Sequence, residues 1–347
     1  MKIAVACSVP LTVRGGSGTA VAVRQICAAL ESRGHSVETF APRANAPSLT
    51  LSRWWFNRRL QAARLRRHDV VLGVDGDAAR AAARADRPYV AVLKGIYPEV
   101  LPYETGLTSR LLRLQARWER AAARAAAAVI VPSSYSAAAV QRHYGVPAAR
   151  LRVVPEPFDL DAWRRRLGSG VPGDETVLCV AHLYPRKRVS DLLRAWPLVL
   201  RARPAATLRV LGHGPQLEET RRLGSGLASV SVEGHVPRAE LMRAFAGSAI
   251  FCLPSAQENF GIAALEGMAS GLVVVLGDAG ALPETSAGAV RRLVPIGDVG
   301  LLAAAILEAL DPAERERAQA VNPELTRRYD PALVSEQLEA VLSEVIR

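Results

Sequence analysis

The residues of this 347-residue chain best placed to do chemistry together stand in "QENFGIAALEGMASG", where Glu258 and Glu266 are spaced by seven residues. Beyond Glu258, everything around Glu266 is apolar or small. An unpaired ionised carboxylate in such surroundings is costly, so something should compensate it. The stretch reads as strand, loop and then a helix starting near Gly261, which leaves the N–H groups of Asn259, Phe260, Gly261, Ile262 and Ala263 free as an anion or hydroxyl site. Two acceptor-only carboxylates beside such donors suit a sugar and a ribose. The same spacing equally describes a solvated loop carboxylate and a helical one paired with an arginine. A second cluster, in "AHLYPRKRVSDLL", places Arg186, Lys187 and Arg188 at a strand-to-helix turn, where cations suit a phosphate; a solvated basic turn has the same pattern. "LGHGPQ", with Gly212, and "RGGSGTA", with Gly15 and Gly16, supply glycine turns after strands. Neither fits G-x-G-x-x-G, so both argue only weakly for a dinucleotide.

These groups need elements to position them. Strand, glycine-rich loop, helix and strand follow one another over Ile3–Ser8, Val21 to about Ser32, and Ser36–Phe40, which is a βαβ unit with a parallel sheet. Further strands are predicted at Val70–Val74, Tyr89–Leu93, Ala128–Pro132 and Arg152–Val154. The pattern restarts at Thr176–Ala181, Thr207–Leu211, Val230–Glu233, Ile250–Leu253 and Val273–Leu276, with helices including Val189–Leu200 and Arg238–Ala246. Pro155–Pro157 and Gly168–Gly173 read as the connection. The expected organisation is α/β with two Rossmann-like, doubly wound domains facing each other across a cleft. Residues 1–165 form the first domain, 166–328 the second, and the C-terminal helix, 329–347, packs back on the first.

Composition narrows the function classes. Half the residues are hydrophobic and 22% are charged, as in a globular protein. The net charge is +11, and 41 of the 44 basic residues are arginine, lysine standing only at 2, 94 and 187. The excess lies entirely in the first half, with 23 basic and 12 acidic residues up to Trp163. It lacks interleaved aromatics and any known module, so no nucleic-acid partner is expected. The four cysteines are far apart, which argues against a zinc site or a disulfide framework. No apolar run is long enough to span a bilayer, and the start reads as a strand rather than a signal peptide; the cytoplasm is the expected location.

"VAHLYPRKRVSDLLRAW", "LRVLGHGP", "VEGHVPRAELMRAFAGSAIFCLPSAQENFGIAALEGMASG" and "GDAGALPE" together resemble the donor domain of glycosyltransferase family 4, whose members are retaining sugar transferases with the GT-B fold. The likeness spans most of residues 170–310. It is weaker in Gly15-Gly16, in Glu119 followed by "AAVIVPSSYS", and in "RVVPEPFDLDAW". The resemblance makes Glu258 and Glu266 the family's E-x7-E pair. It implies that Glu266 binds the donor ribose and that Glu258, with the backbone around Asn259–Gly261, holds the donor sugar. Lys187 would bind the diphosphate, helped by the Gly16 N–H. Three positions depart from the family pattern. His182 stands where an arginine is usual, leaving Arg186 or Arg188 to replace it. Lys94 stands for a histidine after the fourth strand, and Glu156-Pro157 for an Asn-Gly.

The expected activity is retaining transfer of a hexose from a UDP- or GDP-sugar, the co-substrate, with no cofactor and no metal. Catalysis would rest on Glu258, Lys187 and Lys94. Asp75-Gly76-Asp77 has the form of a D-x-D metal motif, but reads here as an acceptor-side loop or a surface turn. With Glu99 and Glu104, Asp75 and Asp77 suggest a small-molecule acceptor, such as an aminocyclitol in natural-product biosynthesis. The alternatives are an anionic lipid or cell-envelope acceptor, a sugar-nucleotide epimerase or hydrolase of the same fold, and an inactive binding subunit. A helix over "RLLRLQARWERAAAR", with Leu111, Leu114 and Trp118 beside Arg113, Arg117, Arg120 and Arg124, fits an anionic membrane or equally a core-facing helix with a solvated arginine face. Tight membrane binding is not the expectation.

Overall fold

A computed structural model of the chain describes residues 1–11, 18–44, 48–168 and 175–347. Short runs of Val, Ile, Leu and Ala, apolar on both sides, form strands covered on both faces, as parallel sheets require. β1 (Lys2–Ala6), β2 (Ser36–Phe40), β3 (Val70–Val74), β4 (Tyr89–Val92), β5 (Ala128–Val131) and β6 (Leu151–Val153) pair in parallel in the order β2-β1-β3-β4-β5-β6. β7 (Thr176–Val180), β8 (Thr207–Leu211), β9 (Val230–Gly234), β10 (Ile250–Leu253), β11 (Val273–Gly277) and β12 (Arg291–Val294) form a second parallel sheet, ordered β12-β11-β10-β7-β8-β9. β12 escapes the sequence reading because Arg291 and Arg292 break its apolar run. As an edge strand it tolerates them, Arg292 pairing with Glu308 (2.9 Å) and Glu314 (3.1 Å).

The helices used below are α1 (Gly18–Ser32), α2 (Leu49–Arg59), α3 (Gly106–Ala125), α4 (Leu160–Leu167), α5 (Val189–Ala202), α6 (Arg238–Ala246), α7 (Ile262–Ala269) and α8 (Pro331–Ile346). The chain divides into two units, Met1–Pro157 with Tyr329–Arg347, and Phe158–Arg328. The boundary thus falls at Pro157 rather than 165. α4 is the reason: Trp163 stands edge-on to Phe245 at 5.3 Å and its indole N–H donates to Ser270 Oγ (3.0 Å), both in the second unit. α8 lies in the first unit, where Val334, Leu338, Val341 and Leu342 join Val23, Ile26 and Leu30 in one core. Arg33–Glu339 and Arg152–Glu344 ion pairs add to its seat.

Where a doubly wound sheet changes winding direction, its strand ends diverge and leave a crevice. In the first sheet that point lies between β1 and β3, and side chains fill it. Ser8 N donates to Asp77 Oδ2 (2.6 Å) and Asn57 Nδ2 to Asp77 Oδ1 (2.6 Å). The buried Arg53 reaches Asp77 (3.5 Å), Tyr97 Oη (2.7 Å) and Gln115 Oε1 (3.2 Å), and Gln115 donates in turn to Thr50 Oγ1 (2.8 Å). These bonds fix the rotation of α2 about its axis: Thr50, Ser52 and Arg53 face inward.

Glu119 sits on the inward side of α3, accepting from the Tyr144 hydroxyl and from Tyr97 N, while its Oε1 has no hydrogen-bond partner among the described residues. Burial, and then the Asp75 charge, push its carboxyl up to about 8 from an ordinary 4.5. The folded chain therefore binds this proton more tightly than the unfolded chain. The associated stability is fully present below about pH 4.5 and is lost as pH rises through about 8. Glu119→Gln should accordingly flatten the decline in unfolding free energy between these limits. Urea denaturation at stepped pH checks this, and parallel curves for variant and parent would contradict it.

Candidate functional site

The second sheet changes winding direction between β7 and β10, and the charged groups singled out in the sequence follow those two strands. β7 leads through His182 into the turn Pro185–Lys187, where Arg188 takes a left-handed conformation (φ 51°) before α5. β10 leads through Ser255 and Gln257 into Glu258 and then α7. The two loops are tied at the backbone, Ala256 N donating to the Arg186 carbonyl (2.8 Å). With the loops fixed, the Lys187 ammonium forms an ion pair with Glu258, both side chains largely buried. The "GDAG" turn braces Glu258 from behind. A Cβ at Gly280 would lie 2.5 Å from the Glu258 carbonyl oxygen, so only glycine allows the approach, and Ala281 N donates to that oxygen (2.9 Å). Gly212 has a comparable role, since a Cβ there would strike the Ala181 carbonyl at 1.8 Å; it keeps the ends of β7 and β8 together.

α7 begins at Gly261, which caps it at φ 92°, and among the described residues no side chain caps its first N–H groups. Asn259 Oδ1 accepts from Gln257 Nε2 (3.2 Å), and Phe260 is buried with its carbonyl accepting from Thr285 Oγ1 (2.5 Å). Along α7, Ala264, Leu265, Gly267 and Met268 are buried, whereas Ile262, Ala263 and Glu266 share the more open side. The main-chain carbonyl of Glu266 accepts from Ser270, but its carboxylate accepts no hydrogen bond from any described residue. Burial pushes its carboxyl up to about 7, with Arg238 of α6 partly opposing the shift. The compensating arginine is therefore present as a nearby charge, and the described residues leave the carboxylate's acceptor sites unused.

The basic turn separates by function. Arg188 is committed to Asp191 of its own helix (2.5 Å). Arg186 lies over the Tyr184 ring at 5.0 Å, and its buried Nε has no hydrogen-bond partner among the described residues, which leaves a donor for an anion. Burial, and then His213, hold the His182 imidazole below the usual histidine range, so it is neutral at pH 7 and cannot supply the arginine's permanent charge. His182 is one of a row missed in the sequence. It stands edge-on to His213 at 4.7 Å, and His213 to His235 at 5.8 Å, the three following the adjacent strands β7, β8 and β9. The signal was there: each histidine stands just past a strand, in "AHL", "LGHG" and "EGHV".

The first unit treats its candidates differently. Gly15 and Gly16 lie outside the described residues. Asp77 is fully buried among Ser8, Asn57 and Arg53, so it cannot meet a ligand, and the Asp75-Gly76-Asp77 pair cannot chelate jointly. Asp75 Oδ1 accepts from Lys94 N (2.9 Å), with Arg53 at 3.6 Å. Glu99 is bonded to the Tyr135 hydroxyl and to His143 Nε2 (2.5 Å), with Arg142 at 3.7 Å. Glu104 is half-buried and forms no ion pair among the described residues. Those same residues contain no group of three or more His, Cys, Asp or Glu arranged to hold a metal. Lys94 Nζ meets both carboxylate oxygens of Glu156, at 2.8 and 2.9 Å, with both side chains nearly enclosed. Two of the three departures from the family pattern are thus halves of one ion pair.

Residues 174–312 match the family model described as Glycosyl transferases group 1, and residues 16–162 the one described as Glycosyltransferase Family 4. The chain is 32% identical over 170 residues to a GDP-mannose-dependent monoacylated alpha-(1-6)-phosphatidylinositol monomannoside mannosyltransferase of Corynebacterium glutamicum, covering 47% of this chain and 44% of that protein. It is 31% identical over 202 residues to a phosphatidyl-myo-inositol mannosyltransferase of Mycobacterium tuberculosis, covering 55% and 53%. The chain therefore spans about half the length of the curated relatives it matches. Among solved structures, sucrose-phosphate synthase from Thermosynechococcus elongatus has a TM-score of 0.79 at 20% identity, over 99% of this chain and 98% of that one. HepE from Anabaena, in complex with UDP and glucose, has a TM-score of 0.73 at 21% identity, over 99% of each chain. The shared fold is the GT-B type, two parallel six-stranded sheets flanked by helices.

Removing one member of a buried ion pair strands the other charge, at a cost of about 3–5 kcal/mol, whereas removing both is often nearly neutral. Lys94→Met and Glu156→Gln should each destabilise by that amount, and the double variant should recover most of it. A thermodynamic cycle from denaturant melts measures the coupling; additive losses would mean that the pair contributes nothing as a pair.

Proposed function

We propose, for a chain that carries a Glycosyltransferase Family 4 domain in its first half and a Glycosyl transferases group 1 domain in its second, that it transfers a hexose from a nucleotide-diphosphate sugar to an acceptor hydroxyl with retention at the anomeric carbon. One observation carries this reading. Around the switch point of the second sheet, Lys187, Glu258, the start of α7 and a Glu266 carboxylate unbonded among the described residues stand on, or directly follow, two loops locked together at the backbone.

Lys187 and the free Nε of Arg186 would hold the diphosphate. Glu266 would accept from the ribose hydroxyls. The Lys187–Glu258 pair must open on donor binding, so that the ammonium turns to phosphate and the carboxylate accepts from hydroxyls of the transferred sugar. In the transfer step the bond from the anomeric carbon to the phosphate oxygen breaks. The bond to the acceptor oxygen forms on the same face, and the acceptor's proton passes to the departing phosphate. The protein's contribution is position and stabilisation of the growing diphosphate charge by Lys187, without a metal.

The relatives' names favour a GDP-sugar and a lipid-anchored inositol acceptor over a free natural product. The first unit supports that preference. Of the four carboxylates that suggested a cationic small molecule, Asp77 is enclosed and Asp75 and Glu99 are engaged by neighbouring donors and cations.

Hydroxyl donors favour the ionised form of Glu266, whose proton leaves at about pH 7 in the free chain. Affinity for a GDP- or UDP-hexose should therefore rise about tenfold from pH 6 to 8, and Glu266→Gln should abolish that rise. Titration calorimetry with each sugar nucleotide tests it; an unchanged pH profile in the variant would remove Glu266 from the donor site. Lys187→Ala should lose turnover even with saturating magnesium. Activity that vanishes with EDTA and returns with manganese would overturn the metal-free reading, and consumption of donor without any acceptor would point to a hydrolase.

A further inference from the structure

The histidines that follow β7 and β8 stand on loops fastened to one another. Leu183 N donates to the His213 carbonyl (2.9 Å) and Gln216 N to the Leu183 carbonyl (3.0 Å), so backbone bonds join the two loops. A Cβ at Gly214 would lie 2.7 Å from Leu183 N, an approach that only glycine permits. Tyr184 N donates to the His182 carbonyl (2.7 Å), which fixes the backbone of His182 itself. The residue is nevertheless exposed, as are His213 and His235, so a ligand at the strand ends can reach it.

The charges that bear directly on the His182 ring are of one sign. Arg186 and Lys187 come from its own turn and His213 from the loop after β8, with His235 beyond His213 in the row. Glu258, on the loop after β10, bears on the ring through Lys187, with which it pairs. Partial desolvation comes first among the causes that keep the proton off the ring, and His213, Lys187 and Arg186 follow in that order. A hydrogen bond to the His213 backbone works the other way and engages one ring nitrogen as a donor. With that nitrogen engaged, the neutral ring presents its other nitrogen as an acceptor, and only the protonated ring presents a second donor. A diphosphate held by Arg186 and Lys187 reverses the balance. Its charge opposes theirs, and its oxygens accept hydrogen bonds without offering any.

We propose that binding of the donor diphosphate at this turn draws a proton from solvent onto the second ring nitrogen of His182, whose new N–H donates to a phosphate oxygen. This uptake rests on the reading of the turn as part of a nucleotide-sugar site. His182 is then a cation by condition: neutral in the free chain, charged while the diphosphate is in place, and neutral again once it leaves. An arginine there would be charged throughout. The sign follows from linkage, since a ligand that raises the proton affinity of the ring is bound more tightly where the ring is protonated. The added affinity is fully present below the free value, which lies under the ordinary 6.5, and is lost as pH rises through the higher bound value. By opposing Arg186 and Lys187 the diphosphate returns the ring towards that ordinary value, so the effect lies on the acid side of the rise assigned to Glu266.

The test is titration calorimetry on the full chain carrying Glu266→Gln, with GDP-mannose and with UDP-glucose, whose diphosphates do not themselves titrate between about pH 5 and 7. In buffers of different ionisation enthalpy at about pH 6, binding should take up about half a proton, and affinity should fall about fivefold from pH 5 to 7. In the same background, His182→Gln should bind more weakly at the acid end and without uptake. His182→Arg should bind without uptake and with an affinity that no longer falls as pH rises. Binding of either donor with no proton uptake, or with an uptake that persists in both His182 variants, would overturn the proposal while leaving the donor site in place. Binding of neither donor would overturn both.

Discussion

A guanidinium taken out of water has to be surrounded by acceptors, and in the first unit the arrangement around Arg53 governs much else. Its partners come from three separate parts of the chain: Asp77 from the loop after β3, Tyr97 from beyond β4, and Gln115 from α3. To reach them, α2 must present a polar side to the interior, and its leucines and tryptophans are turned to solvent as a result. The same network occupies the crevice at the switch point of the first sheet. What would otherwise be a ligand pocket between β1 and β3 is a structural junction.

The second unit lines the equivalent crevice differently. Its switch point is bordered by a lysine and a glutamate that neutralise one another, and by a helix whose first amides and fifth side chain are left unused by the described residues. Close backbone approaches at Gly212 and Gly280 keep the strand ends and the "GDAG" turn near enough to define the site without filling it. The contrast is physical. One crevice is closed by bonds the folded chain makes with itself, while the other retains groups whose hydrogen-bonding capacity exceeds what the described residues supply.

Much of this was legible in the sequence. Apolar runs mark eleven of the twelve strands among the described residues, and type and spacing alone single out Glu258, Glu266 and Lys187. The missing strand, β12, failed for a simple reason: an edge strand carries arginines that a central strand could not. Other features were illegible because they depend on which side of a helix faces in. Asp75 and Asp77 look equivalent in the sequence, but Asp77 points into the Arg53 cluster. The tryptophans of α2 look like core residues until the polar network fixes the helix rotation. The three edge-on histidines are more than twenty positions apart along the chain, and only the order β7-β8-β9 brings them side by side.

The ion pair between Lys94 and Glu156 has a consequence for how such chains diversify. Each residue alone looks like a lapse from the family pattern, yet each supplies what the other requires. A lineage changing the histidine to lysine first would strand a buried cation, and one changing the asparagine to glutamate first would strand a buried anion. On this reasoning either single change would give a less stable chain than the two together. Covariation between these two columns, lysine appearing with an acid and histidine with a neutral residue, would be the trace of that dependence, and it would mark a branch of related chains that inherited both changes together.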